Sequence, residues 1–193
     1  MGNFYVNFSV KSTDTDKIAT ALEEDGQLCF ITPPTGSYTV VFDRETDGRD
    51  DQIILTVGRL LCQAMGVVVL AIFNHDDDDV LMYWLFENSN LTAAAMYFEG
   101  DELRFDDYDL ANYSDAKPVT PEHLCAVLGV PDAIDTVRNI LDPNNNYVFA
   151  SHRHAALVEA LQLPLWSVGH GFKYIEQGEL PSGLKLSDLR RVG

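Results

Sequence analysis

The stretch from residue 67 to residue 86 reads VVVLAIFNHDDDDVLMYWLF, and its two apolar runs decide the fold. The first run, Val67 to Phe73, is apolar at every position, which is typical of a strand buried on both faces. The second run, Leu81 to Phe86, is again apolar and follows four aspartates. The pattern therefore predicts two neighbouring strands joined by an acidic turn, with the first strand at the centre of a sheet.

The sequence before this stretch predicts alternating strands and helices. Apolar residues alternate with more polar ones from Asn3 to Val10, which is the period of a half-buried strand. Capping residues, glycines and a Pro-Pro turn mark the boundaries of the elements that follow. The expected elements are a strand over 4–10, a helix capped by Thr15 or Asp16 and ending at Gly26, strands over 28–32 and 38–42, and a helix from Asp50 to Gly66.

The resulting order is β-α-β-β-α-β, which predicts an α/β (α+β) fold. Right-handed crossovers and a short middle hairpin make a ferredoxin-like sandwich the natural solution, with both helices on one face of the sheet. Strands over 81–86 and 94–98 extend that sheet. We therefore expect a ferredoxin-like core with extra strands over 1–98, an acidic loop excursion over 99–118 and a helical C-terminal segment over 119–193, packed on the core as part of one globule. The last residues, which are rich in glycine, are expected to pack irregularly.

The chain is strongly acidic, with a net charge of -17, and this charge is unevenly spread. No Lys or Arg lies between Arg59 and Arg104. This net charge argues against non-specific binding to nucleic acid or to an anionic membrane, because both need a surface of Lys and Arg to replace counterions. We therefore expect one acidic face that contacts a basic protein. Its predicted residues are Asp76, Asp77, Asp78, Asp79, Asp101, Glu102, Asp106 and Asp107.

The cysteines and the N-terminus bear on the compartment. Cys29, Cys62 and Cys125 are odd in number and widely separated, which fits a reducing cytosol better than a disulfide framework or a zinc site. No basic region followed by an apolar run opens the chain, so we expect no signal peptide. The sequence thus favours a cytoplasmic protein.

The aspartate run is also a candidate cation site. An EF-hand loop that starts at Asp76 would have Asp78 at its third position and Glu87 at its twelfth. However, Leu81 stands where the turn-making glycine belongs, so the EF-hand pattern fails. A looser Mg²⁺ or Ca²⁺ site that uses Asp76 and Asp78 stays open, although a solvated hairpin turn is the favoured interpretation and no cofactor is expected. His75, beside the run, could serve as an acid/base group, but no nucleophile is evident nearby.

The C-terminal segment contains a second candidate site. Gly169-His170-Gly171 is typical of a flexible turn that presents an imidazole, and it lacks the pattern of a phosphate loop. Trp166 and Tyr174 flank this turn and could line a pocket with His170. The alternative is an aromatic cluster that seals the C-terminal helices to the core.

Several stretches together resemble an uncharacterised family of bacterial cytosolic proteins with no assigned activity. They are Met1–Tyr5, Tyr38–Asp43, Phe73–Asp78, Val168–Tyr174 and Gly178–Pro181. The resemblance implies a bacterial, cytosolic protein and assigns no functional residue.

Three classes of function remain open at this point. The first is a non-enzymatic acidic protein-interaction module, such as an immunity protein or another antagonist of a basic partner. The second is a divalent-metal-dependent hydrolase that uses the turn from His75 to Asp79. The third is a small-molecule sensor that uses the aromatic C-terminal segment. The oligomeric state is left open.

Overall fold

The computed structural model describes residues 3–48, 50–97, 117–142, 144–145 and 147–193 of the chain, and these residues form one sheet with helices on both faces. The strands of this part are β1 (Phe4–Val10), β2 (Cys29–Ile31), β3 (Thr39–Asp43), β4 (Val69–His75), β5 (Val80–Glu87), β6 (Asn90–Tyr97), β7 (Lys117–Pro118) and β8 (Arg190–Val192). Its α-helices are α1 (Thr15–Glu24), α2 (Asp51–Met65), α3 (Pro121–Leu128), α4 (Ile134–Ile140), α5 (Ala150–Ala160) and α6 (Phe172–Glu176).

The strands lie in the order β7-β6-β5-β4-β1-β3-β2-β8. All neighbouring strands are antiparallel except β7, which pairs with β6 in parallel through two residues. The prediction of a mixed α and β fold is therefore confirmed. The apolar run after Val67 forms β4, which lies between β1 and β5 near the centre of the sheet, as its lack of polar positions predicted.

Helices α1 and α2 cover the first face of the sheet. The N-cap of α1 is Asp14, whose carboxylate accepts a bond from the N–H of Lys17 at 3.0 Å, rather than the predicted Thr15 or Asp16. Helix α2 packs against β5 at Gly58, where an added Cβ would lie 2.4 Å from the ring of Phe86. Since two atoms cannot approach this closely, the glycine sets the distance between α2 and the sheet.

Helices α3 to α6 belong to a second layer, which covers the opposite face. As a result, the side of β1 that the alternation pattern assigned to solvent is buried too: Tyr5 and Asn7 are fully buried and Ser9 is 2 % exposed. The prediction of a half-buried β1 is therefore wrong, because residues more than a hundred positions away cover its polar side. None of the described helices is long and apolar enough to cross a membrane.

The last described residues are more regular than predicted. Strand β8 pairs with β2 in an antiparallel register, with Val192 opposite Cys29 and Arg190 opposite Ile31. Two of its three residues are exposed arginines, so its side chains do not show the apolar alternation that identifies a strand. The end of the predicted irregular tail, Arg190–Val192, is thus an edge strand of the sheet.

Candidate functional site

Asp76 begins the turn between β4 and β5 and is buried, unlike the rest of the aspartate run. Its carboxylate accepts hydrogen bonds from the N–H of Ser151 at 2.8 Å and from the Ser151 hydroxyl at 2.9 Å. The side-chain amide of Asn74 donates to it at 3.0 Å, and the N–H of Asn3 donates at 3.3 Å. One carboxylate therefore joins the turn to the beginning of β1 and to the first turn of α5.

The same carboxylate takes the place of an N-cap for α5. The N-cap position is occupied by Phe149, which has no side-chain oxygen, and Ser151 is the second residue of the helix. Burial alone would raise the pKa of Asp76, but the hydrogen bonds from Asn74 and Ser151 outweigh it and lower the pKa below its ordinary value. A carboxylate at the N-terminus of a helix is stabilising, because the unpaired N–H groups and the helix dipole both favour negative charge there.

The other three aspartates have different surroundings. Asp77 and Asp78 are exposed, as a solvated turn requires, and a carboxylate oxygen of Asp78 lies 2.6 Å from Nδ1 of His75. Asp79 is half-buried and adopts a left-handed backbone with φ of 49°. The interpretation as a solvated turn therefore fits Asp77 and Asp78 and is wrong for Asp76, whose partner Ser151 lies 75 residues away in sequence.

The described part of the turn does not gather ligands for a cation. Both carboxylate oxygens of Asp76 accept bonds from Ser151, whereas Asp78 contacts His75. Among the residues that the structure describes, no group of three or more His, Cys, Asp or Glu is placed to hold a metal ion. In that part of the chain, the carboxylates of Asp76 and Asp78 therefore contact different residues and do not form one cation site.

Exposed apolar side chains lie next to the acidic turn in the chain that precedes α5. Val148 is 70 % exposed and Phe149 is 45 % exposed. Phe149 is two residues before Ser151, so the bonds between Ser151 and Asp76 bring this part of the chain to Asp76. The turn and the start of α5 thus combine negative charge with apolar surface.

The predicted extension of the acidic face falls outside the described residues. It consists of Asp101, Glu102, Asp106 and Asp107, all of which lie between residues 98 and 116. The expectation of one continuous acidic face therefore stays a prediction.

The three predicted pocket residues contact different neighbours. The indole of Trp166 donates to the carbonyl of Ser182 at 3.3 Å. Nδ1 of His170 lies 2.8 Å from the carbonyl oxygen two residues earlier. The hydroxyl of Tyr174 accepts the N–H of Phe4 at 3.0 Å, which ties α6 to β1. A pocket shared by these side chains stays a prediction.

A buried tyrosine–histidine pair was not found by sequence reasoning. The hydroxyl of Tyr5 lies 2.8 Å from Nδ1 of His154, and both side chains are fully buried. Burial raises the pKa of Tyr5 and lowers the pKa of His154 to about 3, so the imidazole is neutral near pH 7. The residues are 149 positions apart, and no sequence pattern connects them.

Next to His154 on α5, Arg153 is also buried. Its guanidinium lies 4.8 Å from the ring centres of Tyr97 and Tyr147 and donates to the carbonyls of Ile140 and Asn145. Burial lowers its pKa. These contacts join the end of α4, the sheet and α5, so Arg153 has a structural role.

No protein-family model, curated protein or solved structure matches the chain.

Proposed function

We propose that the chain is a non-enzymatic protein-interaction module that binds a basic partner at the turn between β4 and β5. One observation carries this proposal: the buried carboxylate of Asp76 fixes the turn that exposes Asp77 and Asp78 to the start of α5, which the exposed Phe149 directly precedes. An ordered recognition surface loses little conformational freedom on binding, which favours affinity.

The charge of the whole chain supports a basic partner. With 30 acidic and 13 basic residues, the protein attracts positively charged molecules over a long range, which accelerates association. The exposed Val148 and Phe149 add apolar area of the kind found at the centre of protein interfaces. An immunity-like antagonist of a basic effector would use both features, and the proposal includes this class of partner.

We also propose a cellular compartment for the protein and a fold for the centre of its sheet. The proposed setting is the bacterial cytoplasm. The cysteines Cys29, Cys62 and Cys125 are buried and free, which supports a reducing compartment. The neighbouring strands β4-β1-β3-β2 are antiparallel, and α1 packs against α2 on one face. That arrangement supports a ferredoxin-like unit at the centre of the larger sheet.

The alternative of a metal-dependent hydrolase needs Asp76 and Asp78 on one ion. Their present contacts with Ser151 and His75 give that alternative no specific support in the described residues. The alternative of a small-molecule sensor needs Trp166, His170 and Tyr174 around one pocket. Their contacts with different neighbours give it no specific support in the described residues.

The test is a pull-down from an extract of the native cell at low and high salt. We expect the unmodified protein to retain a basic partner at low ionic strength and to release it at high salt, because surface charges are screened. The double variant Asp77→Asn/Asp78→Asn should lose that partner.

A matched control removes the same charge elsewhere. Glu23→Gln/Glu24→Gln changes two exposed residues at the end of α1, in the opposite layer, and should retain the partner. Equal loss in both variants would show that net charge rather than the turn is recognised, and retention that ignores salt would contradict the proposal.

A further inference from the structure

The chain that leads into α6 is held against the rest of the protein by hydrogen bonds. The side-chain amide of Asn7 on β1 donates to the carbonyl of Ser167 at 2.6 Å and to the carbonyl of His170 at 3.1 Å. At the start of the helix, the N–H of Lys173 donates to Oδ2 of Asp47 at 2.8 Å. Asp47 lies in the connection between β3 and α2, so its carboxylate joins the first half of the chain to the second layer.

The carboxylate of Asp47 takes the place of an N-cap side chain for α6. The N-cap residue of this helix is Gly171, which has no side chain to accept a bond. A Cβ added at Gly171 would lie 3.1 Å from Oδ1 of Asp47. The carboxylate therefore packs directly against the backbone at the start of α6.

The two carboxylate oxygens of Asp47 have different surroundings. Oδ2 accepts the N–H of Lys173, whereas Oδ1 is buried and accepts no hydrogen bond from the described residues. A buried carboxylate oxygen without a donor is costly in its charged form, and a proton removes much of that cost. The contact between Asp47 and α6 is therefore more favourable when the carboxyl group is protonated.

A second buried carboxyl group lies four residues earlier, at the end of β3. Oδ1 of Asp43 accepts the N–H of Glu45 at 3.0 Å and that of Thr46 at 3.1 Å, whereas Oδ2 is buried without a partner among the described residues. Burial is the main reason that the pKa of Asp43 is raised to about 6, and the charges of Glu45 and Asp47 add to it. The connection thus has two buried carboxyl groups that resist joint ionisation.

We propose that Asp47 makes the attachment of α6 depend on protons, so that α6 is held more tightly in mild acid than at neutral pH. Opening of α6 exposes Asp47 to water, where the carboxylate ionises without a burial cost, so a rise in pH favours the open form. Phe172 on α6 stacks on Phe30 of β2 at a ring-centre distance of 4.9 Å. Opening therefore uncovers apolar surface on β2, and it does so more often at neutral pH.

The charges on α6 act on Asp47 in both directions. Burial is the main reason that the pKa of Asp47 is raised to about 6, and the charge of Glu176 adds to the effect. The N–H and the positive charge of Lys173 lower this pKa, but they do not outweigh burial. The Nζ of Lys173 lies 4.4 Å from the ring centre of Phe4.

Strand β1 and helix α2 also border the connection that carries Asp47. Tyr5 on β1 is neutral near pH 7, because burial raises its pKa. The first turn of α2 contributes the acidic Asp51. On the connection itself, Arg44 and Glu45 are exposed, so their charges are screened by water and salt.

Hydrogen exchange of the full chain, followed by NMR at pH 5 and pH 7, tests the proposal. The amides to follow are those of Ile175 and Gln177, which donate to the carbonyls of Gly171 and Lys173. The stabilisation by Asp47 is present below its unfolded-state pKa of about 4 and is lost as the pH rises through about 6. After correction for intrinsic exchange rates, we therefore expect opening to be about tenfold more frequent at pH 7 than at pH 5.

Two variants separate Asp47 from general effects of charge. Asp47→Asn keeps an oxygen that can accept the N–H of Lys173 but cannot ionise, so exchange in α6 should become independent of pH after the same correction. Glu45→Gln removes an exposed charge two residues away and should preserve the dependence on pH.

A further measurement needs no variant and keeps the test decisive if Asp47→Asn does not fold. The amide proton resonance of Lys173 should shift with pH, with a midpoint near 6, because its acceptor Asp47 titrates there. A Lys173 amide that does not titrate between pH 5 and pH 7 would overturn the proposal, as would equal opening of α6 at both pH values in the parent chain or an unchanged dependence on pH in Asp47→Asn. Neither measurement uses a binding partner, so the result is independent of the proposed function.

Discussion

Replacing Asp76 with alanine removes a carboxylate that ties the β4–β5 turn to α5 and to β1. The two bonds from Ser151, at 2.8 and 2.9 Å, join neutral donors to a charged acceptor, and bonds of this kind contribute about 1.5–3 kcal/mol. Loss of a helix cap alone costs about 1 kcal/mol. Since the four bonds share one carboxylate and do not add, we expect Asp76→Ala to lower the free energy of unfolding by about 3 kcal/mol. That loss corresponds to a decrease in Tm of about 6–12 °C for a chain of this size.

The assay is urea denaturation at pH 7, with Asp77→Ala as the matched control. Asp77 is exposed, so its replacement should change stability by no more than about 0.5 kcal/mol. The folded-state pKa of Asp76 is lowered, so its stabilisation is present above the unfolded-state pKa and is lost as the pH falls through the folded-state value. The difference between Asp76→Ala and the parent should therefore shrink below about pH 4. Equal midpoints for Asp76→Ala and Asp77→Ala at pH 7 would refute the assignment of Asp76 as the tie.

Three further predictions concern stability, each measured by urea denaturation. Tyr5→Phe should cost about 1–2 kcal/mol, because it leaves a buried imidazole nitrogen without its partner; an unchanged midpoint would contradict this. Gly58→Ala should cost about 1–3 kcal/mol through its contact with Phe86, whereas Gly48→Ala, which meets open space, should cost less than about 0.5 kcal/mol. Burial raises the pKa of Asp43 to about 6, so its contribution to stability should decrease as the pH rises from about 4 to 6, and Asp43→Asn should remove that decrease.

The centre of the sheet could be predicted from the sequence because it depends on local pattern. Seven consecutive apolar residues after Gly66 leave no face for solvent, and β4 is indeed covered on both faces. The cap at Asp50 and the left-handed Gly66 bound α2 close to the predicted ends. An unbroken apolar run identifies β4, and capping residues identify the ends of α2. Both elements can therefore be predicted without knowledge of distant residues.

The contacts that define the candidate sites could not be predicted, because each joins residues far apart in sequence. From the sequence, the polar Asn7 is expected to be exposed. In the structure, the chain around Ser167 covers it. Nothing in the local sequence distinguishes Asp76 from the three exposed or half-buried aspartates that follow it, because the donors to its carboxylate come from α5. In both cases the sequence shows the polarity of the side chain, whereas its environment is set by a layer that folds onto the sheet from the other end of the chain.

The pairing of β1 with β4 has a consequence for the order in which the chain folds. These central strands are separated by two helices and two strands, and the layer above them begins more than a hundred residues after β1. Contacts of such long sequence separation require large loops to close, which slows folding. During synthesis, Tyr5 and Asn7 are therefore made long before their hydrogen-bond partners His154 and Ser167. We expect their polar side chains to keep the middle of this open sheet face hydrated, and so less prone to aggregate, until the second half of the chain arrives.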